Sequence, residues 1–185
     1  MSMSKMKPKI EVRTGNSGSQ NSNRVEVIIE TPKGSRNKLK YDQANRMFKL
    51  SKVMPEGMIF PYDFGFVPAT KAEDGDPLDV LVLTDEPLFP GCLVDCTLIG
   101  AIEAEQEEKG EKKRNDRLIA VAQQSLLYSE IKDITEVNPT VLKQIEAFFV
   151  NYQKVPEIKV TILGRRGPER AIEILRHAAT RRHAA

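Results

Sequence analysis

The sequence predicts an α+β fold in which an antiparallel or barrel-like sheet comes first and helices come last. Three observations carry that expectation. Alternating or continuously apolar runs (RVEVIIE, DVLVL, CLVDCTLIGAIEA and RLIAVA) follow one another through residue 122. Glycines and prolines punctuate the ground between these runs, as turns between strands require. Apolar residues at helical spacing gather only near the carboxyl end, in NPTVLKQIEAFFVNYQ and GPERAIEILRHAA. Strands grouped before helices argue against a parallel sheet with crossover helices.

Each element has its own warrant. Residues 1–23 are polar, rich in Ser, Asn, Gly and Lys, and lack periodicity; they are expected to form a disordered tail. Residues 24–185 are expected to form one domain. Val25, Val27 and Ile29 alternate as a strand demands. TPKGSRN is a turn-rich connection, followed by a short strand at LKYD and an extended stretch around MFKLSKV. In PEGMIFPYDFGFVP, Pro55, Pro61, Pro68, Gly57 and Gly65 forbid a helix. DVLVL is the strongest strand signal in the chain. CLVDCTLIGAIEA predicts a long strand and RLIAVA another, with EQEEKGEKKRN as a solvated hairpin tip between them. The first helix opens on an Asn cap with proline in its first turn. It repeats apolar residues at Val141, Leu142, Ile145, Phe148, Phe149 and Tyr152. The last helix carries Ile172, Leu175 and Ala178 on one face.

Composition narrows the function classes. The chain has 185 residues, 40% hydrophobic and 29% charged, and a net charge of +2 from 28 basic and 26 acidic side chains. That balance gives no general case for nucleic-acid or anionic-membrane binding. No apolar run approaches the roughly 20 residues of a spanning helix. The amino-terminal lysines have no apolar core behind them, so no secretory signal is expected. Cys92 and Cys96 would need His177 and His183 from the far end of the chain to build a zinc site. Two small thiols in a strand, kept reduced in the cytoplasm, are the simpler expectation.

The stretch DGDPLDVLVL crowds Asp74, Asp76 and Asp79 against a segment that demands burial. Like charges so close need a cation among them. Only oxygens are offered, so a hard cation such as Mg²⁺, with Mn²⁺ as substitute, suits better than zinc. An EF-hand beginning at Asp74 fails, because its glycine position falls on Asp79 and its last ligand lies beyond an apolar strand. In a plain strand Asp74 and Asp76 share a face and Asp79 points away. Convergence of all three demands a bend at Gly75 and Pro77. DGDP alone suits a surface turn equally well; the third aspartate, opening a buried strand, favours the metal.

EDGDPLDVLVL resembles the signature of soluble family I inorganic pyrophosphatases. VIIETPKGSRNKLKYD, FPYDFGFVP, FPGCLVDCTLIG, NDRLIAVA and FFVNYQK resemble flanking family segments in the same order, across roughly residues 25 to 165. The resemblance implies a small OB-like β-barrel flanked by carboxyl-terminal helices, Mg²⁺-dependent hydrolysis of pyrophosphate to two phosphates, and a symmetric homo-oligomer, often a hexamer in bacteria. It assigns metal binding to Asp74, Asp76 and Asp79, with Asp79 bridging two ions and Asp76 taking the proton of the attacking water. Two divalent ions on one water bring its acidity near neutrality.

Further roles follow from the same resemblance. Glu30 and Asp42 match acidic positions that hold metal through water. Lys40 matches the first phosphate-binding lysine, and Tyr152 the tyrosine at the leaving phosphate. Lys52 stands where the family has a phosphate-clamping arginine, keeping the charge without the bidentate fork. Arg117 stands where it has a lysine. Phe60 and Phe64 replace two tyrosines. Gln153 replaces a lysine, with Lys154 one step further. Asn115 falls where a metal-binding aspartate belongs, and Asp116 beside it restores the carboxylate only by a one-residue shift that reverses the strand face. The partner of that position lies within EAEQEEK. Two other classes stay open: a non-catalytic OB-like module binding nucleic acid, and a metal-dependent phosphohydrolase acting on an organic phosphate.

Overall fold

A computed structural model describes residues 23–152 and 158–183. The tail expected over residues 1–23 therefore lies, apart from Asn23, outside the described residues, as do Gln153 and Lys154. Among these described residues are nine strands, a short 3₁₀ turn at Ile134–Glu136 and two helices. The strands are β1 (Arg24–Thr31), β2 (Asn37–Asp42), β3 (Met47–Val53), β4 (Asp63–Val67), β5 (Leu78–Leu83), β6 (Leu93–Glu108), β7 (Glu111–Arg114), β8 (Arg117–Ala122) and β9 (Lys159–Arg166). The helices are α1 (Pro139–Tyr152) and α2 (Pro168–His183).

Strand pairing closes a ring. The order β1-β4-β5-β8-β6 returns to its start because β6 also pairs with β1. β7 and β9 pair with β6 beyond the ring, and β2–β3 form a separate two-stranded sheet. The expected small barrel with carboxyl-terminal helices is thus present, with two differences. Its β5–β8 pair is parallel, with Val80 opposite Leu118, whereas the other ring pairs are antiparallel. β9 also intervenes between the helices, where no strand was expected. Val160 and Ile162 supply its apolar alternation, and Ala104 and Gln106 of β6 are their register partners.

The period-2 alternation sorts side chains into two apolar layers. Val80 and Val82 of β5, with Leu118 and Ala120 of β8, pack toward Ala171, Ile172, Ile174 and Ala178 of α2. Leu81 and Leu83, with Ile119 and Val121, join Leu142, Ile145, Phe148 and Phe149 of α1. The helix stripe read from sequence is that buried face, and Asn138 Oδ1 caps α1 by accepting from Thr140 N at 2.8 Å. Cys96 lies buried in β6, while Cys92 precedes that strand in a partly exposed connection. No described helix is long and apolar enough to cross a membrane.

Candidate active site

The alternation that builds the two layers also decides which polar residues meet. Asp79 shares parity with Leu81 and Leu83, and Arg117 with Ile119 and Val121, so both face the α1 layer. Because β5 and β8 run parallel, the starts of the two strands lie at one rim. An antiparallel pair would have sent Asp79 and Arg117 to opposite ends. They line a common cleft of about 140 Å³, together with Glu30 of β1, Lys38 and Lys40 of β2, and Tyr152 at the end of α1.

Asp74 and Asp76 reach the same cleft from the loop before β5. Gly75 adopts φ +93, a left-handed bend open to glycine at little cost. Asp76 O accepts from Ala72 N at 2.7 Å, and Asp76 N donates to Asp74 Oδ1 at 3.1 Å. Thr70 Oγ1 accepts from Leu78 N at 2.9 Å, fixing where β5 starts. The bend required for three aspartates to serve one cleft is therefore built into the loop.

Burial without enough compensating charge marks the carboxylates. It pushes Glu30 up to about 7, against the Tyr41 N–H that donates to Glu30 Oε1 at 2.7 Å and with a further rise from Asp79. Burial also raises Asp79, with Lys38 and Arg117 opposing, and raises Asp74, with the Asp76 N–H opposing. Among the described residues, no three carboxylate, imidazole or thiol groups already close on one point as a metal cage. Mg²⁺ does not require one: it keeps waters and takes one or two carboxylates plus phosphate oxygens. An all-oxygen wall of raised carboxylates fits such a hard divalent cation.

The cationic side of the cleft is equally defined. Lys38 Nζ donates to Tyr152 Oη at 2.8 Å and stands 5.1 Å from that ring's centroid. Burial alone would lower Lys38, but Tyr152 and Asp79 outweigh it and hold the ammonium above its ordinary value. Arg117 is only 1% exposed. Its Cζ lies 4.9 Å over the Phe149 ring, its Nη1 donates to Asn115 O, and its Nε has no partner. Lys52, opposite Lys38 in the β2–β3 ladder, holds its Nζ 4.1 Å from the Tyr152 centroid. Phe60 and Phe64 pack behind, against Phe148, Phe149 and Tyr152.

Several sequence expectations land elsewhere. Lys40 lies in the cleft, but its Nζ sits on Asp76 Oδ2 at 2.6 Å; the lysine beside Tyr152 is Lys38, which sequence reasoning passed over. Asp42 is not brought to the cleft. It accepts from Asn45 and Lys49 within the β2–β3 hairpin, and those bonds, the Asn45 side chain first, hold it down to about 2. Asp116 faces the α2 layer, where Arg114 Nη2 approaches it at 2.8 Å. Its parity with Leu118 dictates that face. Asn115 lines the cleft instead, and its Nδ2 donates to Gln106 Oε1 at 2.8 Å. Gln106 is thus the member of EAEQEEK that meets Asn115; the β6–β7 pairing that folds the hairpin back was the missing signal.

An oxygen-rich cleft faced by fixed cations, carried on a small closed barrel, is suited to a multiply charged phosphate anion. Residues 27–183 match the family model described as inorganic pyrophosphatase. The chain is 39% identical over 155 residues to an inorganic pyrophosphatase of Methanosarcina acetivorans, spanning 84% of this chain and 90% of that one. It is 38% identical over 160 residues to the Thermus thermophilus enzyme, spanning 85% and 89%. The crystal structure of a Thermus thermophilus inorganic pyrophosphatase superposes with a TM-score of 0.82 at 34% identity, covering 90% of this chain and 95% of that one. A Helicobacter pylori inorganic pyrophosphatase gives 0.83 at 30% identity, covering 95% and 99%. The chain belongs to the inorganic pyrophosphatase family.

Proposed function

We propose that this chain hydrolyses inorganic pyrophosphate to two phosphates in the cleft between Asp79 and Lys38, using divalent cations, Mg²⁺ or in its place Mn²⁺, held by Asp74, Asp76 and Asp79. The observation that carries this reading is one cleft lined by those three carboxylates together with Lys38, Arg117 and Tyr152. Bound divalent cations supply Lewis-acid polarisation of phosphoryl oxygens and raise the acidity of water. The protein groups do the rest. Lys38, Lys52 and the unpaired Arg117 Nε bind and orient the anion. Asp76 accepts the proton of the attacking water. Tyr152 Oη, already accepting from Lys38, contacts the departing phosphate. Glu30, in the same cleft, would help to hold the cations. The apolar wall of Phe60 and Phe64 keeps bulk solvent from the reacting groups.

Phosphate release is the direct test. It should require Mg²⁺ and fall by roughly 100-fold or more in Asp76→Asn, the usual weight of a general base. Release without metal, or an unaffected variant, would overturn the mechanism.

The same reading includes a cytoplasmic homo-oligomer, a hexamer by family resemblance. It is supported by large apolar side chains left at the surface, Leu126 at 90%, Leu127 at 71% and Phe89 at 68% exposure. Sedimentation of the full chain should give a multiple of the 20.8 kDa protomer; a monomer at micromolar concentration would refute assembly.

A further inference from the structure

A strand with one wet face is held in register by the contrast between its faces. β8 lacks that contrast, because every residue from Arg117 to Ala122 is buried. Its apolar faces differ only in volume, with Leu118, Ala120 and Ala122 toward the α2 layer and Ile119 and Val121 toward the α1 layer. Arg117 adds a burden: its guanidinium is withdrawn from water with Nε unpartnered, an arrangement that costs free energy. Something else must keep β8 where it sends Arg117 into the cleft. On the reverse face of the same stretch, Arg114 Nη2 lies 2.8 Å from Asp116 Oδ1 and 3.2 Å from Glu103 Oε1. The Glu103 side chain, on β6, is only 8% exposed and is fixed in turn by Arg166 Nε at 2.9 Å and Arg170 Nε at 3.0 Å. Asp116 Oδ1 also accepts from Ala104 N at 3.0 Å, and Asn115 N donates to Ala104 O at 2.9 Å. The start of β8 is thus stitched to β6 beside Glu103 by charge-assisted bonds.

We infer that Glu103 is a positioning residue for a cleft it does not line: through Arg114 and Asp116 it locks β8 in register against β6 and so delivers the buried Arg117 to the anion. A slip of one residue would turn Arg117 to the α2 layer and bring Asp116 to the cleft, setting a carboxylate where a cation belongs. The β6–β8 ladder already accommodates one register shift, between Leu98 and Gly100. Glu103 opposes a second, because the slip would carry Arg114 and Asp116 away from their partners on the α2 side. The role of Arg117 toward the anion rests on the hydrolase reading; the register of β8 does not.

Glu103→Ala in the full chain separates this role from general support of the fold. It should raise KM for pyrophosphate at least about tenfold at nearly unchanged kcat, as loss of anion binding does. Amide exchange followed by NMR should quicken at least about tenfold at the Asn115 N–H, which opens with the β8 start. The Ile29 N–H, bonded to Cys92 O at 3.0 Å, should keep its rate. Combined with Arg117→Gln, Glu103→Ala should add no further rise in KM, because both changes remove the same contact. Arg114→Gln cuts the same link at a more exposed side chain and should reproduce the pattern where Glu103→Ala fails to fold. Unchanged exchange at Asn115, equal quickening at Ile29, an unchanged KM in a chain that hydrolyses, or KM effects that multiply in the double variant would overturn the inference. Faster exchange at Asn115 alone, in a chain that releases no phosphate from pyrophosphate, sustains it and overturns the hydrolase reading.

Discussion

Burial, with help from the neighbouring Lys38 ammonium, brings Lys52 down to about 8. Lysine is charged below its pKa, so Lys52 carries its proton at neutrality and loses it as the pH rises through that value. A group that binds the anion through charge should then release it: KM for pyrophosphate should rise across this window. Lys52→Arg keeps its charge throughout this window, so its KM should stay flat there; the same alkaline rise in both proteins would exclude Lys52 from binding. At this scale the sequence spoke unevenly. Asp74, Asp76 and Asp79 were legible because their spacing needs a bend that Gly75 and Pro77 visibly supply. Lys38 was not, because Lys38 and Lys40 share strand parity and a register shift between Lys38 and Leu39 separates their destinations. Gln106 was hidden for a different reason: an amide facing an amide signals nothing until two strands are laid side by side.

Strands position the site by how closely they approach. A Cβ built on Gly65 of β4 would lie 2.2 Å from Ile28 O of β1, a contact with backbone that no rotamer relieves. Gly65→Ala should therefore cost ~1–3 kcal/mol, the usual range for overpacking, measured by urea denaturation; an unchanged midpoint would show that the β1–β4 approach can widen freely. Most elements were readable because their periods are long and clean, as in α1 and β6. β9 was missed because only Val160 and Ile162 alternate before Gly164. Its pairing is dictated by the extension of β6, a tertiary fact. The parallel β5–β8 pair was equally invisible. Both strands are buried on both faces, so their apolar runs carry no sign of direction.

Taken whole, the protein is a barrel whose buried carboxylates oppose its own stability until a cation reaches them. Mg²⁺ binding to the folded chain alone should stabilise it by linkage, by about 2.7 kcal/mol at a hundredfold excess over Kd. Thermal unfolding should show a higher Tm in Mg²⁺ that EDTA reverses; equal Tm values would mean that the folded cleft has no preference for the ion. The molecule's most consequential feature is β6, a single sixteen-residue strand bonded to β1, β7, β8 and β9. A keel shared by so many planks cannot loosen along one seam and stay tight along another. The barrel should come apart in a single cooperative event, and the reacting groups inherit their fixed spacing from that indivisibility, free to exchange one side-chain charge for another while the frame beneath them keeps its shape.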